Sequence, residues 1–512
     1  MEAAEALGRG GLSTYLEAVR EATRARSRTF WIVAGLTGLA AALRFATLGL
    51  QAYHHDEIVT ADRILRGDFW GAMDAVGFSE SAPPLYYALA WAWTQVTGTG
   101  ELGLRSFSVL AGLATVPVAF LVGVELRGRR VGIAAAALVA VNPMLLWYSQ
   151  EARAYALFAL LTALSLLYFL RARDRGERRD LVGWGIVSAL ALATHYFAAF
   201  PIAAEAIWLL RRRGRAALSG LWIVALTGLL LAPLVVHQMS YGHADWIGNH
   251  TLGHRLWETG VTFTAGETGD IIARPERPLL ALVPLLAIIA ALALVFVRGR
   301  RAERHAAGTL LAIAAVAIAT PLAIALFAPD KDYVLARNLL PALVPLLAAV
   351  AVAASLERAR RVGAALVMTV FAYSLGFCLW ASLSPALQRP DWDAVASKLG
   401  EPEAPRAMVT WTLGEASLRY YLSTGAFQVL PSDGYSWLVH EVDFVSDGPA
   451  PPPARLLGPG FRQVGYERAG RLYVRRYEVP GLGLAPLRLR RVREARLGFR
   501  TNGILLDGIG LT

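Results

Sequence analysis

The run Tyr53-His54-His55-Asp56-Glu57 sets two imidazoles and two carboxylates side by side, just beyond a long apolar stretch. Adjacent acids at a membrane edge are costly to desolvate unless they are used or paired. A carboxylate there can take the proton of an attacking hydroxyl as a general base, and it can also hold a divalent cation. A solvated interfacial loop accounts for the same residues equally well. Further along, Ser79-Glu80-Ser81-Ala82-Pro83-Pro84-Leu85-Tyr86-Tyr87 places Glu80 ahead of a proline corner that fixes the backbone and opens a helix. Glu80 also fits a plain helix-start acid. In Tyr148-Ser149-Gln150-Glu151-Ala152-Arg153-Ala154-Tyr155, the Arg153 guanidinium suits a lipid phosphate because its fork matches phosphate oxygens. Glu151 can orient Arg153 or an acceptor, and the plainer reading of Arg153 is snorkelling to headgroups. Thr194-His195-Tyr196 puts one histidine at a turn between apolar runs, where a structural role is the commoner one. Lys331-Asp332-Tyr333 and Arg337-Asn338-Leu339-Leu340-Pro341 add two cations, for which phosphate binding and interfacial anchoring are both open.

Other chemistries find little support. His237, His243, Asp245, His250 and His254 crowd one stretch, and the i,i+4 spacing of the last two can suit zinc. No HExxH accompanies them, so a loop over the site is the preferred reading. There is no P-loop, no GxGxxG after a strand and no GxSxG elbow, which leaves nucleotide binding and serine hydrolysis without a motif. Cys378 is the single cysteine, so no disulfide framework or cysteine-rich metal site forms within the chain.

The elements that must position these residues are membrane helices. Of the 512 residues, 55% are hydrophobic and 17% charged, against about a quarter charged in soluble domains. Mean hydropathy is +0.44. These values exclude an ordinary soluble enzyme and a disordered chain, and indicate a polytopic membrane protein. The net charge of +11 is carried by arginine, since lysine stands only at 331 and 398. The arginines cluster between apolar runs, as in cytoplasmic membrane-edge loops rather than a nucleic-acid surface.

Apolar runs near 29–48, 104–126, 131–148, 152–170, 181–196, 197–211, 217–238, 279–298, 306–327, 338–355 and 362–382 read as spans. Keeping the arginine clusters inside gives about 11 transmembrane helices, with the N-terminus in the cytoplasm. Residues 1–28 form a polar amphipathic segment without a cleavable signal. The outer loops are 49–103, 149–151, the 195–197 turn, 239–278 and 328–337. Residues 84–98 are short and rich in Trp and Tyr, and read as an interfacial helix. Residues 383–512 alternate helix-like and strand-like pieces and read as a small extracytoplasmic α/β domain, with strands at Ala407–Leu413, Phe427–Leu430 and Arg471–Tyr477. Charge is sparse inside the spans, Arg44 and Glu205 excepted, and gathers at their outer ends. A transporter places charge at the midplane, so this pattern favours chemistry at the outer surface.

Taken together, the Asp56-Glu57 pair after the first span, the Pro83-Pro84-Leu85-Tyr86-Tyr87 corner and the Ser149-Gln150-Glu151-Ala152-Arg153-Ala154-Tyr155-Ala156-Leu157 turn resemble the GT-C membrane glycosyltransferases. Within them, the chain is similar to the dolichyl-phosphate-mannose protein mannosyltransferase and aminoarabinose transferase group over about residues 29–380. The resemblance implies a GT-C-like catalytic domain at 29–382 and a sugar donor carried on polyprenyl phosphate. It implies inverting transfer on the outer face of the plasma membrane to a hydroxyl of a glycan, lipid or protein. Catalysis then falls to Asp56, as base, with Glu57 beside it. Donor-phosphate contacts fall to Arg153, Arg337, His195 and Lys331, and substrate contacts to His55, Glu80, Tyr86, Tyr87, Glu151 and Tyr196. No cofactor is expected and no metal ligand is assigned, with a divalent cation (Mg2+ or Mn2+) as the open alternative. Ala82-Pro83-Pro84 stands where the protein-mannosylating members often have His-Pro-Pro, and their lumenal trefoil domain has no counterpart; both weaken the case for a protein acceptor. The competing readings are a flippase or transporter of a lipid-linked sugar, and a non-catalytic glycolipid-binding member of the same fold.

Overall fold

The computed structural model describes residues 26–242, 251–268, 278–328, 331–422, 427–428, 436–449, 460–481, 483–488 and 502–508, with a few isolated positions between them. Most of the expected segment 1–28 and much of loop 239–278, with His243, Asp245 and His250, lie outside the described residues. The chain folds into two compact units. One comprises Met1–Ala46, Glu80–Tyr86 and Phe107–Leu379; the other Thr47–Ser79, Tyr87–Ser106 and Trp380–Thr512.

The first unit is helical. Among the described residues, six helical runs are long and apolar enough to cross a membrane: Glu101–Arg127, Tyr155–Arg175, Tyr196–Met239, Arg301–Phe327, Ala336–Ser355 and Arg360–Leu383. The helices Arg129–Val141 and Pro143–Ser149 meet at 58° and make a seventh if counted as one crossing, and Leu282–Arg298 is apolar but shorter. These are fewer than the eleven spans expected, although each expected span overlaps a helix or helix pair among the described residues. Hydropathy counts apolar residues but does not see where the backbone bends. Asn142 caps the second half of the bent pair, its side chain accepting from the Leu145 N–H, with Pro143 at the first helical position. The 44-residue apolar run Tyr196–Met239 contains two helices, Ala199–Arg213 and Leu218–Met239, divided at Gly214, whose φ is +56°; they fall on the expected spans 197–211 and 217–238. Helix Leu218–Met239 leaves Trp222, Leu229 and Leu230 largely exposed, a face that only lipid can cover without cost. Its other side packs on Arg178–Thr194 backbone to backbone. A Cβ on Gly185 would meet the Gly220 carbonyl oxygen at 2.5 Å, so small residues set this approach.

The second unit gathers residues 47–79 and 87–106 with the C-terminal residues. Its strands are β1 (Arg406–Trp411), β2 (Phe427–Gln428), β3 (Ser436–Val439), β4 (Glu441–Ser446), β5 (Arg462–Ala469), β6 (Leu472–Glu478), β7 (Ala485–Arg488) and β8 (Asn502–Asp507). Six of them form one sheet in the order β2-β8-β1-β4-β6-β5, and β3 pairs with β7. The β1–β4 pair is parallel and the other pairs antiparallel. A parallel neighbour needs a crossover, and helix Thr412–Leu422 follows β1 directly. That helix and Trp392–Leu399 cover one face of the sheet through Leu418, Leu422, Val395 and Leu399, packed on Met408, Val445, Val474 and Leu505. Ala52, from the first outer loop, joins the same core.

Candidate active site

In the second unit, His54 is extended (φ −73°, ψ 156°) and the short helix His55–Ile58 begins immediately after it. Glu57 turns back and accepts the His54 N–H at 3.0 Å. Its carboxylate meets Arg105 in a forked pair, Nε to Oε1 and Nη2 to Oε2, both 2.7 Å. Arg105 also donates to the carbonyls of Leu48, Gln51 and Ala52. Arg389 adds a bond to Gln51 Oε1 and approaches Glu57 Oε2 at 3.9 Å. Glu57 is fully buried. Burial pushes its carboxyl up, but the charge and hydrogen bonds of Arg105, with Arg389, outweigh that and bring it down to about 2. Glu57 is therefore a permanent carboxylate engaged by arginine, and its geometry suits fixing the loop rather than shuttling a proton. Asp56, one residue earlier, is 22% exposed and lies 3.0 Å from His55 Nε2. The His54 imidazole is held neutral by burial and by the neighbouring His55, its pKa brought down to about 3.

The first unit holds the other candidates. Arg153 forks onto Glu80, Nη1 to Oε1 at 2.5 Å and Nη2 to Oε2 at 2.6 Å. Its backbone N–H donates to the Glu151 carbonyl at 2.8 Å. The turn that carries both residues is fixed from below by Gln150, which donates to the Arg44 carbonyl at 2.7 Å. His195 ends one helix and caps the next, its Nδ1 accepting from the Phe197 N–H, and its ring stacks on Phe158 at 4.4 Å. The charges of Arg337 and Arg153 both reach this imidazole, and Arg337 stands 5.9 Å from the Tyr155 ring. Arg153, Arg337 and His195 thus share one neighbourhood. Tyr148 donates to Glu267, from the described part of the long outer loop. Tyr148 and Tyr155 line a small cavity, with room for about one water, together with Thr115, Ser149 and Leu340.

The remaining sequence candidates divide. Tyr86 bonds Ser108 at 3.3 Å. Tyr196 donates to Gln238 at 2.8 Å, and Gln238 donates to the Ala82 carbonyl at 3.1 Å, tying the proline corner to the histidine turn. Tyr87 is buried in the second unit. Lys331 is exposed, and only its backbone N–H makes a hydrogen bond among the described residues, to Ala328. Sequence reasoning did not single out Arg105, Arg389, Gln238, Glu267 or Arg255, which forks onto Asp332 at 2.5 Å. Arg105 carried a readable signal, since a cation at the start of an apolar helix calls for a counter-charge nearby.

The helical fold is similar to that of a solved GT-C membrane glycosyltransferase. Residues 81–237 match the family model described as dolichyl-phosphate-mannose-protein mannosyltransferase. The chain is similar in fold to ArnT from Cupriavidus metallidurans in the apo state, with a TM-score of 0.51 at 15% identity over 88% of this chain and 98% of that one. ArnT bound to undecaprenyl phosphate gives a TM-score of 0.47 at 16% identity over 89% and 99% of the two chains. Archaeal oligosaccharyltransferase AglB from Archaeoglobus fulgidus, in complex with an inhibitory peptide and a dolichol-phosphate, gives 0.42 at 13% identity over 78% and 60%. No curated protein sequence matches the chain.

Proposed function

We propose that this chain is an inverting glycosyltransferase that moves a sugar from a polyprenyl-phosphate donor to a hydroxyl acceptor at the outer face of the plasma membrane. The reading places the N-terminus in the cytoplasm and residues 383–512 outside. The observation that carries it is the split between two adjacent acids. Glu57 is sealed against Arg105, whereas Asp56 stays at a partly open position. A base must reach its substrate, and Asp56 meets that condition where Glu57 does not.

The chemistry balances. Asp56 takes the acceptor proton as the acceptor oxygen bonds to the anomeric carbon. The bond from that carbon to the phosphate oxygen breaks, and its electron pair leaves with the polyprenyl phosphate. Arg153, Arg337 and the His195 turn supply the positive environment that stabilises the departing phosphate. One displacement inverts the anomeric centre. The match to a mannosyltransferase family model over residues 81–237 and the ArnT-like fold support this reading.

The test incubates purified protein with a panel of polyprenyl-phosphate sugars and follows release of free polyprenyl phosphate. Asp56→Asn should lower turnover by about a thousandfold, roughly 4 kcal/mol of barrier, with an unchanged melting temperature. Turnover within a few-fold of the parent would remove Asp56 from the chemistry.

A further inference from the structure

We infer that His54, His55 and Asp56 form a site for a borderline divalent cation of the Mn2+, Co2+ and Zn2+ class. This deepens the glycosyl-transfer reading and rests on it for the cation's role, though not for its binding. Among the described residues these three are the group of His, Cys, Asp and Glu side chains whose donor atoms can meet on one ion, all lying within 4.8 Å of one another.

His55 is the centre of the group. Its Nδ1 lies 3.0 Å from His54 Nε2 and its Nε2 lies 3.0 Å from Asp56 Oδ1. A neutral imidazole has one N–H and one lone pair. With the Nε2–H of His55 directed at the carboxylate, its Nδ1 presents a lone pair to His54 Nε2. A single proton then lies between the two rings, and a cation that replaces it finds two nitrogen ligands already facing each other. At a metal–nitrogen distance of about 2.1 Å, a 3.0 Å separation corresponds to an angle of about 90° at the metal. That is the angle of neighbouring ligands in an octahedron. It favours ions that accept six ligands and leaves positions open for solvent or an acceptor hydroxyl. Two imidazole ligands, with Asp56 holding the far nitrogen of His55, select transition ions over Mg2+, which prefers an all-oxygen shell.

The surroundings suit a bound ion. The His54 backbone is anchored on Glu57, which Arg105 holds in turn, so the ligands start from a fixed loop. His55 and Asp56 are each about a fifth exposed, which leaves a path from solvent. Under the proposed function, a cation here binds the acceptor hydroxyl and makes it more acidic.

The test uses full-length protein in detergent, stripped with a chelator, and follows Mn2+ by loss of the free-ion electron paramagnetic resonance signal. Binding of one Mn2+ per chain is expected, unaffected by millimolar Mg2+. His54→Ala and His55→Ala should each weaken it by at least about tenfold. His55→Asn is the second probe of the same ligand should an alanine variant not fold. The Co2+ adduct should give the weak visible absorption of a six-coordinate ion. Absence of stoichiometric binding, or binding that survives all the histidine variants, overturns the site. Donor turnover with and without added Mn2+ separates the two readings. Turnover that persists in the stripped protein leaves the transferase standing and removes the cation from its mechanism. Histidine-dependent Mn2+ binding without turnover on any donor keeps the site and sinks the transferase.

Discussion

Two buried acid–arginine pairs, one in each unit, share a forked geometry and differ in everything around it. In Glu57–Arg105 both side chains are at most 1% exposed, and Arg105 directs its remaining donors at three backbone carbonyls. In Glu80–Arg153 the arginine is 12% exposed, and its charge, with that of Arg337, reaches the His195 imidazole. The first arginine has no donor to offer a ligand without unfastening the loop. The second can trade a carboxylate for a phosphate, since both accept the same fork. Identical pair chemistry therefore reads as scaffold in one place and, under the proposed function, as a phosphate gate in the other, and the difference lies in exposure.

Removing the sealed arginine gives the largest expected effect. Arg105→Leu leaves Glu57 as an uncompensated buried charge, a change that typically costs about 3–5 kcal/mol. The loop from Leu48 to Ala52 also loses its tether. The protein should melt well below the parent or fail to accumulate. A melting temperature within a degree or two of the parent would show that this pair is not the scaffold its geometry describes.

The sealed pair also marks where sequence reading stops. Asp56 and Glu57 stand out because they are neighbours in the chain, but Arg105 lies 48 residues from Glu57 and only the tertiary fold joins them. The turn at His195 was readable because arginine clusters bracket the 181–211 run, forcing it out and back. The helix before it ends at Thr194 and the next begins at Ala199. Strands β1 and β6 fall within a residue or two of the expected Ala407–Leu413 and Arg471–Tyr477, since alternating or fully buried apolar runs fix them locally. The bend at Asn142-Pro143, inside the expected span 131–148, is a backbone event that hydropathy does not record.

A smaller effect belongs to the open pair. Arg153→Ala combined with Glu80→Gln, so that no buried carboxylate is left unpaired, should raise KM for the polyprenyl-phosphate donor by about ten- to a hundredfold, roughly 1.4–2.8 kcal/mol, while the melting temperature stays close to the parent's. Glu80→Gln sharpens the contrast. It removes the carboxylate that competes for Arg153, so donor affinity should hold or improve, whereas Glu57→Gln should destabilise the fold. Loss of stability of equal size in both glutamine variants would erase the distinction between gate and scaffold.

The smallest effect concerns a third acid–arginine cluster, inside the sheet of the second unit, where the carboxylates outnumber the cation. Asp443 on β4 faces Arg476 on β6 at 3.2 Å, and Glu441, two residues earlier on β4, shares that guanidinium at 3.3 Å. Arg406 on β1 is turned to Asp507 on β8, and Glu478 lies opposite Glu441 on β6. Burial first, then the hydrogen bond and charge of Glu441, push the Asp443 carboxyl up to about 8, against the pull of Arg476. The folded sheet therefore binds a proton that the unfolded chain releases in the ordinary carboxyl range. The stabilisation is complete below that range and is lost as pH rises through about 8. Trp392 and Trp411, whose rings lie 5.0 Å apart in the same unit, provide a fluorescence signal for its melting. Between about pH 6 and pH 9 the melting temperature of this unit should fall, and in Asp443→Asn, which carries no proton to lose, the fall should flatten. An equally steep fall in the asparagine variant would mean that the proton is held elsewhere, and that this cluster is sealed in the manner of Glu57 and Arg105 rather than balanced on one shared proton.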